Sequence, residues 1–151
     1  MSCCKICEIK QGQVFYRAHT EVNPPFNKET REKDDWKNSV CMSENEKRLH
    51  DWTDEQHPYP MKIIAKRTIK YINCTHECFK EGNYKNYMVD IINEIQELIH
   101  KKKDSTTPFM CWLGENGYAF RCFETKEGDI EMIVPYCLFN KENWDVHSLW
   151  K

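Results

Sequence analysis

The chain has 151 residues, of which 40% are hydrophobic, 13% aromatic and 30% charged. That is too apolar for a disordered chain and too short for two full domains, so the expectation is a single domain, 1–151, around one modest core. Twenty-two Lys and Arg against 24 Asp and Glu leave a formal charge of −2, which excludes a global basic field for holding nucleic acid or an acidic membrane.

The N-terminus reads MSCCKICEIK, with no apolar h-region, and no stretch approaches the roughly 18 apolar residues of a membrane span. A cytoplasmic protein with no membrane partner is expected. Its nine cysteines are an odd number, and a reducing compartment disfavours disulfides, so thiols or metal ligands are expected. Cys111, Cys122 and Cys137 sit in hydrophobic runs, where free cysteine packs as a small apolar residue.

Along the chain, Gln13 to Arg17 is short, aromatic and β-branched, and reads as a first strand. The segment from about 21 to 57 is dense in charges of both signs, begins with Asn23-Pro24-Pro25 and has no sustained apolar period, which marks an insertion or long loop. Within it Ser43 to Glu46 has capping-box spacing, predicting a short helix to about Trp52 that turns Leu49 and Trp52 toward the body. Pro58 and Pro60 precede an alternating run, 61–72, read as a strand with a break near Lys66. Tyr84, Met88, Ile91, Ile95, Leu98 and Ile99 recur at helical spacing, so 84–101 is an amphipathic helix with Asp90, Glu94 and Glu97 on its outer side. Asn83 can cap its start, and the positive run at 100–103 suits the negative end of the helix dipole. Phe109 to Leu113, Tyr118 to Phe123 and Ile130 to Val134 read as three further strands, with hairpin turns at Asn116-Gly117 and around Gly128. The expected fold is α+β: an antiparallel sheet, built from a meander at 109–137 plus strands near 13–17 and 61–72, covered by one main helix. Trp36, Trp52, Trp144 and Trp150 lie in hydrophilic contexts and are expected to pin loop and tail to the body.

Two cysteine groups have metal-ligand spacing. Cys4 and Cys7 form a CxxC that can hold one metal from a tight turn, with Cys3 an alternative to Cys4, and Cys74-Thr-His76-Glu-Cys78 is the compact second group. A structural zinc on Cys4, Cys7, Cys74 and Cys78 is the expectation, with His76, Cys41, His50 and His57 as alternative ligands. Cys74 beside His76 also permits a Cys-nucleophile reading, although no third orienting group accompanies them.

The opening Cys4-Lys-Ile-Cys7-Glu-Ile9-Lys-Gln-Gly12-Gln-Val14 resembles the start of the histidine-triad (HIT) nucleotide hydrolases and transferases. Pro58 to Thr68 is similar to that family's Pro-Lys-Arg-His segment, and the amphipathic helix, the Glu115-Asn116-Gly117 turn and Ile130 to Pro135 follow in the family's order. The departures fall on the chemistry. Gly128, Ile130 and Met132 stand where the family alternates histidines, and Thr68 stands where its other zinc-associated histidine would be. The resemblance implies a degenerate nucleotide pocket with no catalytic residue in place, in which Asn116 is the ligand-contacting candidate. Together these readings predict a non-enzymatic, zinc-stabilised binding or regulatory protein acting on a protein partner or a nucleotide-like ligand. The rivals are a nucleotide- or phosphoester-processing enzyme of HIT-like fold and a Cys-dependent hydrolase or transferase centred on Cys74.

Overall fold

A computed structural model describes residues 4–74, 84–124 and 130–149. The architecture is α+β, an eight-stranded mixed sheet, mostly antiparallel, curled on itself and covered on one side by helices. Its strands are β1 (Cys4–Ile9), β2 (Val14–His19), β3 (Ser39–Ser43), β4 (Tyr59–Ala65), β5 (Ile69–Cys74), β6 (Tyr118–Glu124), β7 (Ile130–Pro135) and β8 (Trp144–Ser148). The spatial order is β1-β5-β6-β7-β3-β2-β4-β8.

The curl comes from one bent ribbon. β1 and β2 run antiparallel to β5 and β4, and the pairing keeps a single register across the bend, from Cys4↔Cys74 to Ile9↔Ile69 and on from Val14↔Ile64 to His19↔Tyr59. At the bend the Gly12 N–H donates to the Ala65 carbonyl at 2.7 Å, and Gly12 has a φ of 89°, a conformation that suits glycine. The β1–β5 half lies at one end of the strand order and the β2–β4 half next to β8 at the other, so bending the ribbon brings the two sides of the sheet toward each other around a common interior.

Alternation of side chains along the strands separates two cores. Inside the curl, Ile9, Phe15, Val40, Met42, Met61, Ile63, Ala119, Val134, Phe139 and Trp144 form one cluster. On the outer face Ile72, Phe120 and Ile133 meet two helices, α2 (Tyr84–Ile99) and α3 (Phe109–Glu115). Among the described side chains of α2, Ile91, Ile95 and Ile99 are the buried ones, following its 3.6-residue period. Glu94 is not wholly on the solvent side, because its carboxylate accepts the Cys4 N–H at 3.0 Å and so covers an open donor on the edge strand β1.

Several expectations need correcting. Phe109 to Leu113 is helix rather than strand: Phe109, Met110, Trp112, Leu113 and Gly114 of α3 are all buried, so this short element has no polar face to show a period. Its start is held by Asp35, whose carboxylate accepts the Met110 N–H at 2.9 Å from 75 residues away. Asn116-Gly117 is accordingly a helix C-terminus, not a hairpin; Gly117 has a φ of 88° and its N–H donates to Gly114 O, the usual role of glycine after a last helical turn. The run at 61–72 is two strands, β4 and β5, which divide at the break expected near Lys66. The main helix stops at Ile99, and His100 follows with a φ of 56°.

The segment 21–57 is not one long loop. It contributes a 3-10 turn, Asp35–Asn38, the interior strand β3, and the short helix α1 (Arg48–Trp52). Ser43 does accept the Asn45 N–H, though Leu49 and Trp52 are only half-buried. Trp144, by contrast, is fully buried in β8. The turn expected around Gly128, Asn83 and Trp150 lie outside the described residues.

Candidate functional site

The interior face of β2 carries the main signal. Phe15, Arg17 and His19 share one face by strand alternation. Phe15 is buried in the inner core, so the next two inward positions carry polar side chains toward the open end of the curl. There they line a cavity of about 330 Å³ with Lys28, Tyr136 and the loop at 20–26. A larger cavity of about 640 Å³ adjoins it, lined by Thr30, Arg31, Cys111, Glu115, Tyr136 and Cys137 among others. Lys28 and Tyr136 border both cavities, and the Lys28 ammonium lies 5.4 Å from the centre of the Tyr136 ring.

The walls are fixed from several directions. Asn27 has a φ of 57°, in the left-handed region that asparagine tolerates, and its N–H donates to Phe139 O. The Phe26 ring packs on Phe139 with centroids 5.3 Å apart. Asn38, itself buried, accepts the Glu32 N–H and donates to Glu32 O, tying down the loop beyond the cavity. On the far wall Gly114 permits a close approach, because a Cβ there would meet Cys137 Sγ and the Pro135 ring. Arg31 pairs with Glu115 across the rim at 2.7 Å.

Polar bookkeeping in these walls is incomplete. Arg17 Nε donates to His19 Nδ1 at 3.1 Å, and Arg17 Nη1 donates to Cys41 O at 2.7 Å. Because Nδ1 accepts, the ring proton of His19 sits on Nε2, and that buried atom has no partner. Burial first, and the Arg17 charge second, push the imidazole down to about 4, so it is neutral at physiological pH. Thr30 Oγ1 is also buried and unpartnered. A buried polar atom left unsatisfied costs about 1–3 kcal/mol. Among the described residues these two side-chain atoms alone are orphaned, and each belongs to a residue lining one of the two adjoining cavities.

The thiols here are poor nucleophiles. Burial raises Cys111 and Cys137 above the ordinary thiol range, and Glu115 raises both further. Cys111 Sγ contacts Thr30 O at 3.3 Å as a donor. With the Nδ1 lone pair of His19 already occupied, the site has donors in place but no free imidazole base.

The residues expected to form a zinc site are placed differently. Cys4 and Cys7 lie in β1 rather than in a tight turn, and three residues apart on a strand they face opposite sides. Cys4 is disulfide-bonded to Cys74 directly across the sheet, so neither is a free thiol in this structure. Cys7 is a free thiol beside Tyr71 on the other face. Cys3, His76 and Cys78 are outside the described residues. Cys41 is a half-buried thiol pushed up to about 11, mainly by burial. His50 is exposed on α1, and His57 contacts Asp54 at 3.2 Å. Among the described residues no three His, Cys, Asp or Glu side chains converge to hold a metal ion. Asn116 adjoins Glu115 in sequence but does not line either cavity; its amide donates to Trp112 O at 2.8 Å and closes the end of α3.

Sequence reading missed Arg17, His19, Lys28, Thr30 and Tyr136. The available signal was the inward series Phe15, Arg17, His19, an apolar face turning polar at the end of a strand. Comparison of the chain with family models, curated proteins and solved structures finds no match. Among the described residues no helix is long and apolar enough to cross a membrane.

Proposed function

We propose that the protein is a non-enzymatic binding protein for a small, nucleotide-like ligand held in the paired cavities at the open end of the curled sheet. The observation that carries this reading is the pair of orphaned buried atoms, His19 Nε2 and Thr30 Oγ1, which belong to residues lining one cavity each. A ligand offering acceptors at both ends would recover the cost of burying them. Both volumes are within or near the range of small-molecule sites. The occupied Nδ1 of His19 and the protonated thiols favour binding over catalysis. A protein partner is less well supported, since the large apolar residues exposed among those described, Ile6, Val22, Val89 and Leu149, fall on four separate segments rather than one loop or strand.

The test is protection of Cys137, which is exposed yet borders the larger cavity. Cys7, on β1, is the internal reference. At least one of the four ribonucleoside 5′-monophosphates should slow alkylation of Cys137 by iodoacetamide while leaving Cys7 unaffected. If none slows Cys137 selectively, the reading is wrong.

A further inference from the structure

The two cavities differ in chemistry. The larger one mixes two thiols, two amides, Pro135, the shared Lys28 and Tyr136, Glu29 and the Arg31–Glu115 pair. The smaller one is lined by Arg17, Lys28 and His19, whose Nε2–H is itself covered, against the single carboxylate of Glu21 at its exposed rim. Arg17 spends Nε on His19 and one N–H of Nη1 on Cys41 O, so its remaining guanidinium donors are left for the cavity. Lys28 is exposed, has no carboxylate partner and rests only over a tyrosine ring, a contact weak enough at an exposed site for the ammonium to leave at small cost.

We infer that the smaller cavity is a phosphoryl subsite, in which a phosphate monoester accepts hydrogen bonds from the Arg17 guanidinium and draws the Lys28 ammonium off the Tyr136 ring, next to the covered imidazole of His19. This rests on the proposed function and specifies its ligand, which is phosphorylated and distinguished from its unphosphorylated parent. Arg17 plays two parts. It supplies charge, and by occupying Nδ1 it fixes the imidazole tautomer with its proton at Nε2. Burial and the guanidinium beside it keep that imidazole neutral. The tetrahedral oxygens of a phosphoryl group can accept from both cations at once, and charge-assisted bonds of this kind are the stronger ones.

The experiment uses the full chain with three probes, namely the nucleotide that protects Cys137 best (or adenosine 5′-monophosphate if none does), its nucleoside, and inorganic phosphate. Calorimetry should show the nucleotide binding roughly tenfold or more tighter than the nucleoside, as charge-assisted hydrogen bonds require. Lys28→Met, at an exposed position bordering both cavities, should erase most of that difference, read as the ratio of nucleotide to nucleoside affinity. Phosphate alone should shift the imidazole Nε2–H resonance of His19 in the nitrogen-15 spectrum of the unmutated protein, a readout that does not depend on a buried variant folding. Equal affinities for nucleotide and nucleoside, with Cys137 still protected and the His19 resonance unmoved, would overturn the phosphoryl subsite while leaving the ligand-binding reading intact. Absence of binding by the nucleotide and the nucleoside, together with an unmoved resonance, would overturn both.

Discussion

The outer face beneath α2 and α3 and the mouth of the curl use the same sheet in opposite ways. On the outer face β5, β6 and β7 present Ile72, Phe120 and Ile133 to Ile91, Ile95, Phe109 and Leu113, and apolar contact is the dominant content. At the mouth the inward face of β2 passes from Phe15 to Arg17 and His19 within four residues, and polar groups are left buried with donors unspent. The first region lowers the free energy of the fold. The second raises it, and the proposed ligand would put those groups to use. On the proposed reading, stability and recognition are divided between two parts of one sheet, and each can be perturbed alone.

The largest effect belongs to the outer face. Ile95 is fully buried on α2, so Ile95→Ala should cost roughly 2–5 kcal/mol of stability. The change should leave the mouth intact, so nucleotide affinity measured well below the melting transition should be unaltered. Chemical denaturation monitored by tryptophan fluorescence, paired with a binding titration, checks both halves. A loss of affinity parallel to the loss of stability would show that the two regions are not separable.

The next effect belongs to the mouth and depends on pH. His19 titrates at about 4 in the fold against an ordinary 6.5 when exposed, so between these values the unfolded chain binds the proton that the folded chain refuses. The neutral ring's contribution is complete above about pH 6.5 and is lost as pH falls toward 4, an amount of at most roughly 3 kcal/mol. His19→Phe should flatten stability across this window, while other acid-sensitive groups continue to act in both proteins. Urea midpoints from pH 7 to pH 4 for the two proteins decide it, and parallel curves would mean that His19 is not buried neutral.

These contrasts also explain what could be read in the residues. α2 was legible because its apolar period repeats over four turns and its buried face is intact. α3 was not, because burial on nearly every side removes the period and its capping group, Asp35, is supplied from a distant turn. β3 was hidden by the charged residues around it, although Val40 and Met42 are fully buried. CxxC spacing in Cys4–Cys7 suits a metal turn as well as a strand, and only the partner strand, placing Cys74 opposite Cys4, decides between them. The mouth was harder still. Arg17 and His19 are separated by one residue, but Lys28, Thr30 and Tyr136 reach them only through the bend of the ribbon and the return of the chain after β7. Recognising that constellation requires knowing which face of β2 is the inside of the curl.

The smallest effect tests whether the mouth's far wall is set against nucleophilic chemistry. Glu115 lies in α3, pairs with Arg31 at the exposed rim and raises both Cys111 and Cys137, second to burial at Cys137. Replacing it by glutamine removes the charge but keeps the size. Because the ion pair is exposed, Glu115→Gln should change stability by less than about 1 kcal/mol. The thiol of Cys137 should then ionise more readily, and alkylation near neutral pH should accelerate by about fivefold at most, the limit for one charge acting through water at close range. Cys7, on a different strand, should react at its original rate. Quantitative mass spectrometry of these cysteines over a time course separates this from general loosening, since a loosened fold would expose Cys41 to the reagent as well. An unchanged Cys137 rate would mean that burial alone holds the thiol protonated and that the carboxylate serves only to anchor Arg31 at the rim.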